Sequence, residues 1–214
     1  FFRGIAAMFS RQPGQGEPPE TRRLVFLVIV GTLPLFLILP VKKYVEGLGS
    51  SPVFVSFALL VTGCILFLSD RMATGRKTAR SATVKDVLLV GVAQGIATIP
   101  GLSRSGCTIS AGMALGFRRE FAVRYSFLMS LPAVFGATLL EVKDTLSAGA
   151  GIPDGMLGKY LLGMVIAGVV GYFAIRLVNL LADKGKFGAF AYYCWIAGAI
   201  FLVLSLLGVT FVHA

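Results

Sequence analysis

Histidine is nearly absent from this sequence of 214 residues: the single one, His213, is the penultimate residue. Histidine-based metal sites and phosphohistidine chemistry therefore have almost no material within the chain. Cysteine is scarce too. Cys64, Cys107 and Cys194 stand apart, with no metal-ligand spacing and no even-numbered framework, and are expected as buried free thiols. Charged residues make up only 14% of the chain, well below the roughly 25% of soluble domains. Acidic residues number 10 against 20 Lys and Arg, but the basic residues sit in short loops beside apolar runs, where membrane topology puts them, so nucleic acid is not expected as a partner. The chain opens Phe1-Phe2-Arg3-Gly4, without a methionine or the basic region of a signal peptide, and reads as starting inside a longer protein.

What the chain has in excess is apolar surface: 56% hydrophobic residues and a mean hydropathy of +0.84. A hydrocarbon layer about 30 Å thick takes about 20 helical residues to cross. Segments 24–41, 52–69, 121–140, 156–181 and 187–212 come close to or exceed that length. The expected fold is all-α, a polytopic transmembrane bundle forming one domain over 1–214, with 1–23 as a polar cytoplasmic loop. Glu17 and Glu20 fall in the Pro- and Gly-rich part of that loop and read as solvated charges.

The region 84–117 decides the architecture. Arg22 and Arg23 precede the first span, and Arg71, Arg76, Lys77, Arg80 and Lys85 follow the second, which marks that face as cytoplasmic. A single span over 84–117 would carry Arg118, Arg119 and Arg124 to the opposite side. Two ordinary spans would need arms of about 20 residues, yet 84–98 and 105–117 reach only about 22 and 19 Å. A re-entrant helical hairpin satisfies both constraints.

Its expected tip is Ile99-Pro100-Gly101-Leu102-Ser103-Arg104-Ser105-Gly106. Pro100 ends the first arm because it cannot continue a helical ladder. Gly101 permits a tight reversal. Ser103 or Ser105 can cap the second arm, whose free N–H groups and positive dipole end then form an anion site. Arg104 adds a guanidinium suited to bidentate phosphate binding. Gln94, Thr98, Thr108 and Ser110 make the surroundings polar. The competing reading is an interfacial turn whose arginine snorkels into head groups. The glycines Gly163, Gly168 and Gly171 suggest close helix packing, or a groove for an apolar tail, near 156–181, and Gly112, Gly116 and Gly136 invite the same reading.

Three runs carry a resemblance: Gln94-Gly95, the stretch from Pro100-Gly101-Leu102-Ser103-Arg104-Ser105 to Thr108, and Tyr125-Ser126-Phe127-Leu128-Met129-Ser130-Leu131-Pro132. Together they resemble the undecaprenyl-pyrophosphate phosphatases, the bacitracin-resistance membrane proteins. The resemblance implies two inverted-topology halves with re-entrant helix pairs, of which this chain would hold one and a part. It also implies a hydrolase of the bacterial inner membrane that converts undecaprenyl pyrophosphate to the monophosphate for cell-wall synthesis, its site opening to the periplasmic side. Ser103, Arg104, Ser105 and Thr108 match the PGxSRSxxT signature, and Gln94 matches a polar position before it.

On that basis Arg104 and Ser103 are the expected catalytic residues, and Ser105, Gly106, Thr108 and Gln94 the expected phosphate contacts. Amides at Ser105 and Gly106 would join Arg104 in stabilising the transferring phosphoryl group. Ser103 is a candidate nucleophile, though no general base stands near it. The family's other signature, glutamate-rich and followed by Pro-Val-Ser-Ser-Thr-Gly-His, has no counterpart here. Mg2+ or Ca2+ is implied, with ligands expected in that segment and none in this chain, so the chain taken alone would be inactive. A polyprenyl pyrophosphate lipid and membrane lipids are the expected partners, and a homodimer is left open. The rivals are an anion transporter or channel using the same broken helix, a structural membrane subunit, and the phosphatidic-acid phosphatases, whose catalytic histidines are missing here.

Overall fold

The computed structural model describes residues 19–72, 75–147, 156–183 and 188–207, which leaves Glu17 and His213 outside the described residues. The named elements among the described residues are all helices. Helix α1 (Pro19–Thr32) continues as a 3-10 segment, Leu33–Val41, and is followed by a short α2 (Lys42–Leu48). Then come α3 (Pro52–Arg71), α4 (Val84–Ile96), α5 (Arg104–Ala114), α6 (Arg119–Ser147), α7 (Leu157–Asp183) and α8 (Gly188–Leu206). Among the described residues four stretches are long and apolar enough to cross a membrane: Thr21–Ile38, Pro52–Arg71, Arg119–Ser147 and Leu157–Leu177. Phe190–Leu206, within α8, is apolar but shorter.

Three expectations are corrected. Residues 19–23 are helical rather than loop, because α1 starts at Pro19, where a proline fits a first turn that needs no donor. The first span is not one α-helix. Pro34 has no N–H to give to the preceding turn, and the chain continues in the longer-rise 3-10 form. Cys64 is exposed, and only Cys107 and Cys194 are buried.

Two packed groups organise the bundle. Leu27 of α1, Val87 and Val90 of α4, Ile109 and Met113 of α5, and Phe117, Tyr125 and Met129 form one buried core. Leu66 of α3 with Ala191 and Cys194 of α8 form the other. In the first, the Tyr125 hydroxyl donates to the Leu27 carbonyl at 2.7 Å, tying α6 to α1. Helix α4 crosses α1 closely enough that a Cβ on Gly91 would meet the Gly31 carbonyl and lie 2.9 Å from the Pro34 ring. The glycines of α7 behave differently from expectation: nothing lies within 4 Å of where a Cβ on Gly163, Gly168 or Gly171 would be, nor on Gly136. Among the described residues they make no close helix contact.

One face gathers the ends of five helices. Arg119 at the start of α6 pairs with Asp70 at the end of α3 at 2.9 Å. Arg23 donates to the Ala82 carbonyl just before α4. Lys77 and Phe117 form a two-bond bridge, Lys77 N–H to Gly116 carbonyl and Arg118 N–H to Lys77 carbonyl, both 2.9 Å. The two arms α4 and α5 therefore start from and return to the same side.

At the base of α4, Thr83 and Asp86 form a reciprocal capping box, and Lys77 adds an ion pair to Asp86 at 2.9 Å. Burial pushes the Asp86 carboxyl up, but hydrogen bonds from the Thr83 amide and Lys77 outweigh it, and the group ionises below the usual carboxylate range. A lowered folded pKa stabilises fully at neutral pH, and that stability is lost as pH falls through the lowered value. Melting in detergent is therefore expected to be lower for Asp86→Asn than for wild type at neutral pH, with the gap closing in acid. A gap that stays constant with pH would rule this out.

Candidate anion site at the broken helix

Between α4 and α5 the helix is interrupted at 97–103, and the interruption is built from the residues that the sequence analysis singled out. Thr98 turns its hydroxyl back to the Gly95 carbonyl at 2.7 Å. Pro100 comes next, and Gly101 takes φ +94°, a left-handed conformation that favours glycine. Of the two serines able to cap α5, Ser103 does so: its Oγ accepts the Gly106 N–H at 3.1 Å.

That cap corrects one expectation. The Gly106 amide, expected to face a phosphate, is taken by Ser103 Oγ. The amides of Arg104 and Ser105 at the helix start are the ones without an intrahelical acceptor. Arg104 itself is half-buried, and its guanidinium has no hydrogen bond or ion pair among the described residues. Ser105 is exposed beside it.

Thr108 lies one turn further and is 2% exposed. Its hydroxyl donates toward the Arg104 and Ser105 carbonyls at 2.9 and 3.2 Å, and lies 2.6 Å from Ser126 Oγ of α6. With Thr108's proton turned to the carbonyls, Ser126 supplies the proton of that last bond. Thr108 is thus a strut between the first turn of α5 and helix α6.

Gln94, on the buried face of α4, is 1% exposed, and its Nε2 has no partner among the described residues. The Ser110 hydroxyl is likewise buried without one. Buried polar groups are nearly always paired, so each marks a place where an acceptor or donor from outside the chain would be favourable. Among the described residues no group of three His, Cys, Asp or Glu could hold a metal ion. The carboxylates nearest in sequence, Asp86 and Glu120, are paired with Lys77 and Arg118, and Asp70 is paired with Arg119. The described residues therefore do not fit a divalent cation at the tip.

Sequence reasoning missed Thr62 and Ser126. Ser126 lay inside a recognised motif without a role. Thr62 lies in the apolar middle of α3, between Ser56 and Ser69, and its Oγ1 accepts the Ser103 N–H at 3.1 Å across 41 residues of chain. A polar residue in mid-span was the available signal.

A break of this make-up has relatives. The chain matches the family described as bacitracin resistance protein BacA over residues 1–200. It is 43% identical over 187 residues to the undecaprenyl-diphosphatase of Halothermothrix orenii, covering 87% of this chain and 71% of that protein. The undecaprenyl-diphosphatase of Methanosphaera stadtmanae is 40% identical over 190 residues, 87% of this chain and 66% of that protein. That of Methanothermobacter thermautotrophicus is 42% identical over 186 residues, 85% of this chain and the whole of that protein. The chain thus spans about two thirds of the length of the Methanosphaera relative and all of the Methanothermobacter one. The motif around Arg104, the all-helical membrane bundle and these matches converge on one assignment: this chain belongs to the bacitracin resistance protein family.

Proposed function

We propose that this protein is an undecaprenyl-diphosphatase, a membrane hydrolase that releases phosphate from undecaprenyl pyrophosphate and regenerates the monophosphate carrier used in cell-wall synthesis. The observation that carries the reading is the half-buried, unpaired guanidinium of Arg104 on the first turn of a helix that begins inside the bundle. Such a cation is costly in a membrane protein unless a ligand or a watery cavity satisfies it. A pyrophosphate supplies the matching charge and geometry.

In this reading α4 and α5 are a re-entrant pair that enters from the cytoplasmic side, where the basic residues collect. Its tip leans on α3 at Val55, near the end of α3 remote from Arg71, which supports a site opening to the outer side of the inner membrane. Arg104 and the amides of Arg104 and Ser105 bind the pyrophosphate and stabilise charge developing on the transferring phosphoryl group. Ser103 keeps the helix start formed, and Ser105, exposed beside Arg104, orients a phosphate oxygen. Thr108 acts through the Arg104 and Ser105 carbonyls and not by direct contact. Mg2+ or Ca2+, if used, takes its ligands from outside the described residues, so no step of the chemistry is assigned to it. The same break could hold an anion without cleaving it, as in a transporter. Release of phosphate from lipid pyrophosphate by the purified protein separates the two, and binding without release would favour transport.

Gln94 gives a second test. Its unpartnered Nε2 is a donor for a substrate oxygen, and leaving such a group buried and unpaired costs about 1–3 kcal/mol. Gln94→Leu, which removes the orphan at similar volume, is expected to melt a few degrees higher in detergent while raising KM. A variant that melts lower with KM unchanged would make Gln94 a packing residue.

A further inference from the structure

Helix α3 turns one stripe toward the broken helix, and its members recur at the three- and four-residue spacing of a single helix face. A Cβ on Gly101 would lie 2.6 Å from the Val55 carbonyl and 2.8 Å from the Ala58 Cβ. One turn on, the Thr62 hydroxyl lies 3.1 Å from the Ala58 carbonyl and 3.2 Å from the Gly101 carbonyl, and accepts the Ser103 N–H at 3.1 Å. A Cβ on Gly106 would come within 3.2 Å of Leu66, and the Ser69 hydroxyl reaches Met113 Sδ at 3.5 Å. The tip and second arm are therefore seated along α3, with Thr62 as the hydroxyl that bonds the tip's backbone.

We infer that Thr62 is the positioning residue of the anion site, locking Gly101 and Ser103 so that Arg104 and the first amides of α5 meet the phosphate. Three observations carry this. Thr62 is 1% exposed, so its hydroxyl has no water to bond and serves the protein alone. It engages both sides of the reversal: it accepts the N–H of the cap residue, and its single proton is shared between the Ala58 carbonyl and the Gly101 carbonyl before the cap. A hydroxyl in a helix commonly bonds back to its own preceding turn, but that bond leaves an oxygen lone pair free, and here the lone pair is spent on a residue 41 positions away. The Ser103 N–H precedes α5 and has no intrahelical acceptor, so without Thr62 it would be an orphan in a buried place. Thr62 lies at the middle of α3, a helix about 30 Å long, so the lock sits about 15 Å from either end of that helix.

The inference rests on the functional reading above, and its test keeps the two apart. Thr62→Val preserves shape and removes the hydroxyl; Thr62→Ser preserves the hydroxyl. In the full chain in detergent, three quantities are compared: amide hydrogen exchange of the peptide covering 101–106, kcat and KM for lipid pyrophosphate, and melting temperature. Expected for Thr62→Val are faster exchange of that peptide and a kcat lowered by tenfold or more, since about 1 Å of misplacement can cost up to about a hundredfold. Exchange elsewhere should stay close to wild type, and Thr62→Ser should restore both quantities. Where Thr62→Val does not fold, Thr62→Ala replaces it, since it needs no more room. Unchanged exchange at the tip overturns the lock, and faster exchange with unchanged kcat overturns its positioning role. Should wild type itself release no phosphate, the functional reading falls, and the lock is judged on the exchange data alone.

Discussion

Arg104→Lys is expected to lower kcat for lipid pyrophosphate hydrolysis by about two orders of magnitude, the usual scale for removing one preorganised donor from a developing oxyanion, with the melting temperature in detergent unchanged. The two halves of this expectation have separate causes. Turnover falls because lysine keeps the charge but loses the planar fork that meets two phosphate oxygens at once. Stability holds because the Arg104 guanidinium has no partner among the described residues whose loss would unfold anything. Arg119 makes the useful contrast. It is also at a helix start, but it is bonded to the Asp70 carboxylate and carbonyl at 2.9 and 3.3 Å. Arg119→Lys should therefore weaken the seam between α3 and α6 without touching the phosphate. Near-normal turnover in Arg104→Lys would remove Arg104 from the mechanism.

The break itself was legible in the sequence because its signals are local. Pro100 cannot continue a ladder, Gly101 admits a left-handed turn, and a serine two residues on caps the second arm; the structure has all three. Apolar length is a property of the segment alone, and α3 begins at Pro52, where the sequence put it. The features that were not legible depend on partners distant in the chain. Nothing in the run around Thr62 says that its hydroxyl meets Ser103. Nothing in the motif says that Thr108 turns to Ser126 instead of outward. The choice between Ser103 and Ser105 as cap, and with it the fate of the Gly106 amide, needed backbone geometry. The α7 glycines misled for the same reason: a small residue permits a close neighbour but does not supply one.

The reversal at Gly101 has an internal control in Gly116, which makes a second large effect separable into its causes. Both glycines have positive φ, +94° and +87°, so alanine at either brings the same backbone strain, about 1–2 kcal/mol. Their surroundings differ. At Gly116 the new methyl would meet only the flexible Lys77 side chain, at 3.9 Å. At Gly101 it would lie 2.6 Å from the Val55 carbonyl and 2.8 Å from the Ala58 Cβ, on a helix packed against α8 through Leu66, Ala191 and Cys194. Helix α3 is held from behind, so the tip is the part that gives way. Moving it off α3 stretches the Thr62 bonds to Ser103 and Gly101 and carries Arg104 with them. Gly116→Ala is accordingly expected to melt a few degrees lower and hydrolyse normally, and Gly101→Ala to lose about a hundredfold or more in kcat. Equal turnover in the two variants would mean that φ strain alone matters and that the seat on α3 does not set the chemistry.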